Sequence, residues 1–412
     1  MRAALALLRR EPDFRRTFLA SLVSGGGDWF ALIPLLALLQ QLTGGGLAGG
    51  AVLAADTAVF ALLSPYAGTV ADRVDRRRLM VGCELVSAVL ALTLLLVRGT
   101  GTIWVAVVAF AGLAAAKAFV EPAGSSAQPN LVGRADLPLA SVMNGTAWGS
   151  MLAVGAALGG LSAAAFGIRV CFLLDAASFL VSALLLIRCR RPFQQERGAR
   201  AAAGFRADVR EAVAFARSDA RVLALLTAKP GVGFANGALV LFPLLAAEVF
   251  HVGEAGLGLL YAARGLGALL GPLLLGRRGR DPGSLLWLIG GCIAACGALY
   301  VGVAVAPVFA VALVLVALAH VGGGANWTSS SYGLQVLVPD RVRGRVSSTD
   351  FMLCTLVIAA NQAVAGALSE VVPTRVLVAA FGGATVAYAG CWLLATRSLR
   401  RAVPVPAASP GA

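Results

Sequence analysis

Twelve apolar runs, each long enough to cross a bilayer as a helix, constrain this chain more than any other feature of its sequence. A spanning helix needs about 20 mostly apolar residues. Such runs occupy 17–42, 47–71, 79–97, 102–125, 137–166 and 170–188, then 222–247, 255–276, 284–305, 307–333, 346–371 and 375–396. With 59% hydrophobic and 13% charged residues, the chain carries far less than the roughly 25% charge of soluble proteins. Lipid is the solvent for most of it. Backbone groups in lipid must bond within their own segment, so the runs are helices. The expected fold is an all-α membrane protein with twelve transmembrane helices.

The basic residues orient the spans. Of 34, only Lys117 and Lys229 are lysine and 32 are Arg. A net charge of +14 invites a nucleic-acid reading, but no basic patch alternates with stacking aromatics. With the N-terminus in the cytoplasm, the inner segments hold 28 Arg and the outer segments three: Arg98, Arg169 and Arg375. The last, Arg264, falls inside a span. That is the positive-inside pattern, and it puts both termini in the cytoplasm. The expected location is a bacterial plasma (inner) membrane. The apolar run from Ala3 to Leu8 is too short for a signal peptide, so no cleavage is expected.

The longest polar stretch falls midway, at 189–220, and Phe205, Val209, Val213 and Phe215 give part of it an amphipathic pattern for the cytoplasmic face. The expected division is 1–188 for one six-helix bundle, 189–219 for a basic linker, 220–397 for a second bundle and 398–412 for a tail. The halves also echo one another. Phe30 to Ala37 matches Leu239 to Ala246, and Ser125, Leu131, Val132 and Asn144 match Ser331, Leu337, Val338 and Asp350. Spans one and seven run the same way, as in a parallel repeat about an axis along the membrane normal.

Several chemistries are excluded. The seven cysteines are scattered in or beside apolar runs, and Cys292 and Cys296 read as small core residues. Glu248, His251 and Glu254 share helical spacing but flank a short outer loop, with no further metal ligands. The glycines 265, 267 and 271 lie inside a span with no strand before them, so they bind no dinucleotide. No ATP-binding loop occurs. Neither cofactor nor metal is expected. The short, nearly bare outer loops argue against a polytopic membrane enzyme, and a sensor would need an added soluble domain.

Between the second and third runs stands Gly68-Thr-Val-Ala-Asp72-Arg73-Val-Asp75-Arg76-Arg77-Arg78. It resembles the G-x-L-A-D-R-x-G-R-K loop of the major facilitator superfamily, with Asp75 in place of Gly. That variant is similar to the branch of macrolide and siderophore exporters. Further stretches resemble the same branch: Glu121-Pro122-Ala123, Pro129-Asn130-Leu131, Asn144 to Trp148, Asp175 to Phe179, and Pro339 to Val346. Gly155-Ala-Ala-Leu-Gly159-Gly160 resembles the antiporter motif G-P-x-x-G-G, with Ala156 for Pro. Val108 stands where the fourth span often carries Arg, so no proton role is borrowed from that Arg. The resemblance implies the major facilitator fold, two pseudo-symmetric six-helix bundles that rock about a central cavity. In that fold Gly68 lets two helices approach. Asp72, Arg73, Asp75, Arg76, Arg77 and Arg345 form a cytoplasmic gate, with Asp72 bridging the bundles towards Arg341, Arg343 and Arg345.

Ionisable residues inside a membrane are expensive, and each is a functional candidate. Asp28 sits mid-span after three glycines, on a helix that lines the cavity in the resembled fold. Lys229 is expected either to snorkel or to reach the cavity, where it approaches Asp28 in one conformation. Arg264, mid-span, is expected in a buried ion pair. Lys117 and Glu121 are one turn apart and neutralise each other. Asp56 and Asp175 lie in outer thirds, Asp175 bonding a neighbouring helix. Glu84 and Asp350 belong to the inner gate. His320 is either a satisfied core residue or a proton carrier. The cavity candidates are thus Asp28, Lys229, Arg264, Asp56, Glu121 and His320. The expected function is secondary transport in the lipid bilayer by alternating access, as proton-coupled efflux of an amphipathic small molecule. Uptake or lysolipid flipping by the same fold, a transport-dead sensor and a membrane enzyme are the alternatives.

Overall fold

The computed structural model describes residues 2–133, 136–194, 205–276 and 284–401. Among them there are no strands, and twelve helices are long and apolar enough to cross a membrane. Spans one to six are Pro12–Thr43, Leu47–Arg73, Arg76–Thr93, Ile103–Leu131, Leu137–Phe166 and Ile168–Ile187. Span seven covers Ala220–Val249. Spans eight to twelve are Gly253–Leu275, Leu285–Ala304, Phe309–Leu337, Asp340–Leu368 and Thr374–Ala395. The near face is the side carrying Arg2–Arg10 and Arg397–Arg401, the far face its opposite.

The spans form two six-helix bundles. Within the first, span one packs on spans five and six, span three on four and six, and span two on four. The second repeats this with span ten on eight and nine, nine on twelve, and seven on eleven. Two seams join the bundles, span two against eleven and span five against eight.

Prolines shape the spans by a recurring device. Proline has no N–H, so it frees the carbonyl four residues earlier, and here a neighbouring helix meets that carbonyl. Pro34 frees Phe30, and Gly159 lies so close that a Cβ would come within 2.3 Å of its oxygen. Pro272 frees Ala268, whose oxygen a Cβ at Gly324 would approach to 2.4 Å. Leu239, four residues before Pro243, accepts from the Phe242 N–H in a 3₁₀ turn and from the Tyr261 hydroxyl at 3.1 Å. Pro34 and Pro243 occupy matched positions of the internal repeat.

Span seven departs from the single helix its apolar run suggests. It is α-helical over Ala220–Leu226 and Ala228–Ala235, tightens to a 3₁₀ turn at Asn236–Leu241, and widens to a π turn at Leu245–Val249. Pro230, Gly231, Gly233, Gly237 and Pro243 weaken its helical ladder. Irregular backbone survives in a membrane only when protein covers it, and span seven is the most buried of the twelve.

The seams are tight on the far side. A Cβ at Gly50 would stand 2.8 Å from the Cα of Gly366, and one at Gly160 would stand 2.8 Å from that of Gly258. Gly46 N–H donates to the Ser369 hydroxyl at 3.0 Å, Leu47 N–H to the Glu370 carboxylate at 3.1 Å, and Gln41 to Glu254 at 2.7 Å. At mid-depth Phe60 meets Phe351, ring centroids 5.7 Å apart. Nearer the termini, a Cβ at Gly68, Gly145 or Gly344 would touch nothing within 4 Å among the described residues. Among the described residues, the contacts that join the bundles run from the far face to mid-depth.

The helix expected in the linker is Phe205–Ser218, and it docks on span eleven through the Arg345 guanidinium, which donates to Glu211 at 2.5 Å. Residues 195–204, the rest of that expected linker, lie outside the described residues.

Candidate substrate and coupling site

The three glycines before Asp28 flatten one side of span one. Gly26 turns its carbonyl to Gly155, and Gly27 admits Asp175 and Ser178 of span six, whose oxygens a Cβ there would strike. With those sides packed, Asp28 faces span four and takes a hydrogen bond from Lys117 at 3.5 Å. Both groups remain partly exposed at mid-membrane, at 24% and 34%. Asp56 and Glu121 lie in electrostatic reach of the same ammonium. Three carboxylates thus share one lysine at mid-membrane. Lys117 is met chiefly by Asp28, where the sequence pairs it with Glu121.

Deeper in this bundle, Asp175 and Glu84 are buried at 1% and 4% exposure. Asp175 bonds Ser178 of its own helix, and Glu84 faces Ser24 and Ser182. Glu84 is therefore no gate residue. One oxygen of each carboxylate has no hydrogen-bond partner.

In the second bundle Lys229 forms a buried ion pair with Asp350, its ammonium 5.1 Å from the Trp327 ring centre. This corrects two expectations: Lys229 meets Asp350 rather than Asp28, and Asp350 belongs to that pair rather than to a gate. The irregular span seven carries the ammonium directly to span eleven. His320 is also displaced from the cavity set. It is buried, its Nε2 2.9 Å from the Tyr300 hydroxyl, as a satisfied core histidine.

Arg264 has no ion pair among the described residues, contrary to expectation. Its guanidinium lies over two indoles of the other bundle, 5.6 Å from Trp29 and 5.7 Å from Trp148. A mid-membrane Arg costs about 2.5–3.5 kcal/mol on insertion scales, and each aromatic face returns about 0.5–2 kcal/mol. The indoles offset the charge but accept no in-plane N–H bonds, and Arg264 Nε is buried without a partner. The sequence reading missed both tryptophans. Their signal was an aromatic beside Asp28 and another in the Asn144–Trp148 stretch.

Several residues of the loop motif brace their own bundle. Asp75 caps span three, accepting from the Arg78 N–H at 2.9 Å. Arg76 donates to the carbonyl of Ser126 at 2.9 Å, and Arg77 to that of Cys189 at 2.5 Å, tying spans three, four and six together. Arg73 is exposed, and Gly68 makes no close helix approach among the described residues. Arg345 donates to Glu211 of the linker helix. The side chains of Asp72 and Arg341 lie outside the described residues. The antiporter-like motif is a packing surface: Gly155 and Gly159 admit span one, and Gly160 admits span eight. No cluster of three or more His, Cys, Asp or Glu suited to a metal occurs among the described residues.

Two pseudo-symmetric six-helix bundles with charge at mid-depth define a membrane carrier. The chain belongs to the Major Facilitator Superfamily, whose pattern it matches over residues 17–359. No curated protein matches it. Among solved structures it is similar to a bacterial homologue of the human lysosomal transporter Spinster, inward-facing and unoccupied, at 15% identity and TM-score 0.73, covering 96% of this chain and 100% of that one. It is also similar to the nucleoside transporter NupG, at 13% and 0.71 with 93% and 99% covered. The human organic anion transporter MFSD10 gives 16% and 0.67, again with 93% and 99% covered. At such identities the likeness is one of fold.

Proposed function

We propose that the protein is a secondary active exporter of amphipathic small molecules, driven by proton entry across a bacterial plasma membrane with its near face cytoplasmic. The observation that carries this reading is the Asp28–Lys117 pair, part-exposed at mid-depth, with Asp56 and Glu121 sharing the ammonium. A proton gained or lost among three carboxylates changes the charge that the membrane interior must hold. It also changes the hold of Lys117 on span one. Proton occupancy thereby biases which arrangement of the bundles is favoured, as linkage requires. Aromatic side chains around the seam, among them Trp29, Trp148, Phe60 and Phe351, offer an apolar wall to the body of a substrate. The Arg-rich near face supports the assigned orientation.

The test is tolerance of a pump-deficient bacterial strain to a panel of amphipathic toxins. Wild type should raise tolerance to some of them. Asp28→Asn, at equal membrane abundance, should raise none, because an amide keeps the shape but exchanges no proton. Equal protection by Asp28→Asn would place the coupling elsewhere. Greater sensitivity with wild type would mean uptake.

A further inference from the structure

The charge of Arg264 is met by no acid among the described residues. A buried carboxylate can become neutral by taking a proton, but a guanidinium in a protein keeps its charge. The surroundings offer little. The titratable groups in electrostatic reach of Arg264 are Tyr261, Tyr300 and His320. The first hydroxyl donates to the Leu239 carbonyl at 3.1 Å, and the second is bonded to His320 at 2.9 Å. Trp29 and Trp148 cradle the charge from the opposite bundle, and Arg264 Nε is left buried and unbonded. The missing partner is an in-plane acceptor with negative charge, which guanidinium N–H groups bind as a fork.

We infer that Arg264, with Trp29 and Trp148, recognises an anionic group on the transported molecule, so that the substrate class is amphipathic organic anions bearing a carboxylate, sulfonate or phosphate. The indoles suit the apolar carbon next to that group. The site is built from both bundles: Trp29 and Trp148 stand on spans one and five, Arg264 on span eight. Spans five and eight are packed through Gly160 and Gly258 while the far face is shut. The anion site is therefore complete in this far-closed arrangement, and parting spans five and eight draws the indoles off the arginine. Loading occurs from the near face and release at the far one. This inference rests on the exporter reading for its direction but not for its ligand.

Calorimetric titration of the purified full-length protein in detergent tests it. The probes are 1-naphthalenesulfonate, octanoate and octyl phosphate, with 1-naphthylmethylammonium as a cation of matched body. At least one anion should bind saturably, and the ammonium should bind about tenfold more weakly or worse. Arg264→Gln should lose about tenfold or more in anion affinity, and Arg264→Lys should recover part of it. If Arg264→Gln does not fold, Trp29→Leu and Trp148→Leu, which leave the arginine in place, should each weaken anion binding. No saturable anion binding to wild type, equal binding of the ammonium, or undiminished binding by Arg264→Gln or by both tryptophan variants would overturn the inference. Equilibrium binding needs no proton gradient. A protein that binds these anions yet protects no strain would refute export and leave the anion site standing.

Discussion

Lys229 and Asp350 are 121 residues apart in the chain and buried together. Removing one partner of such a pair strands the other charge at a cost of about 3–5 kcal/mol, whereas apolar replacement of both is often neutral. Asp350→Asn should therefore lower the thermal unfolding midpoint in detergent sharply, and Lys229→Met with Asp350→Leu should restore most of it. A single variant as stable as wild type would show the pair to be idle. Cys189, just past the end of span six, illustrates burial outside the membrane. Burial first, and then the nearby Asp13 carboxylate, push its thiol up to about 11. The reactive thiolate is the minor form below that value. Cys189 should resist maleimide at neutral pH until the protein is unfolded; rapid labelling of the folded protein would contradict its placement. At this scale the sequence marked Asp28, Lys229 and Arg264 as costly charges, because charge within an apolar run is plain to read. Their partners were not legible, since they come from other spans at separations that no local pattern encodes.

Helix contacts in this protein rest on missing atoms: a missing N–H at proline and a missing Cβ at glycine. Gly160 and Gly258 pack backbone to backbone in the far half of the span five and eight seam. Gly160→Leu should wedge that seam and favour the far-open arrangement. Gln41, which donates to Glu254 at 2.7 Å across the far face, provides the readout. A cysteine at position 41 should react faster with a membrane-impermeant maleimide from the far side when Gly160→Leu is present. No change in rate would mean that the seam yields without opening the gate. The sequence located eleven spans as simple helices, and only span seven broke the pattern. Its prolines and glycines were visible, but their result depended on burial by neighbouring helices.

Among the described residues most arginines lie on the near face, with Arg98, Arg169 and Arg375 on the far one, and the orientation can be tested directly. Cysteines placed at Asp75 and Arg217 should react with impermeant reagents only after permeabilisation, and one at His251 should react in intact cells. Labelling at Arg217 from outside would invert the topology. Twelve spans, their alternation and the resemblance to the superfamily were all present in the sequence, because span length and loop charge are local quantities that lipid reads one segment at a time. The structure decided what depends on distant segments meeting. It closed the far seams through Gly50 with Gly366 and Gly160 with Gly258. It gave Asp28 to Lys117 and Lys229 to Asp350, and it set Arg264 against two indoles with no acid. A charge in lipid must find company, and which residue supplies it is fixed by the packing of helices whose order along the chain says little about their nearness in space.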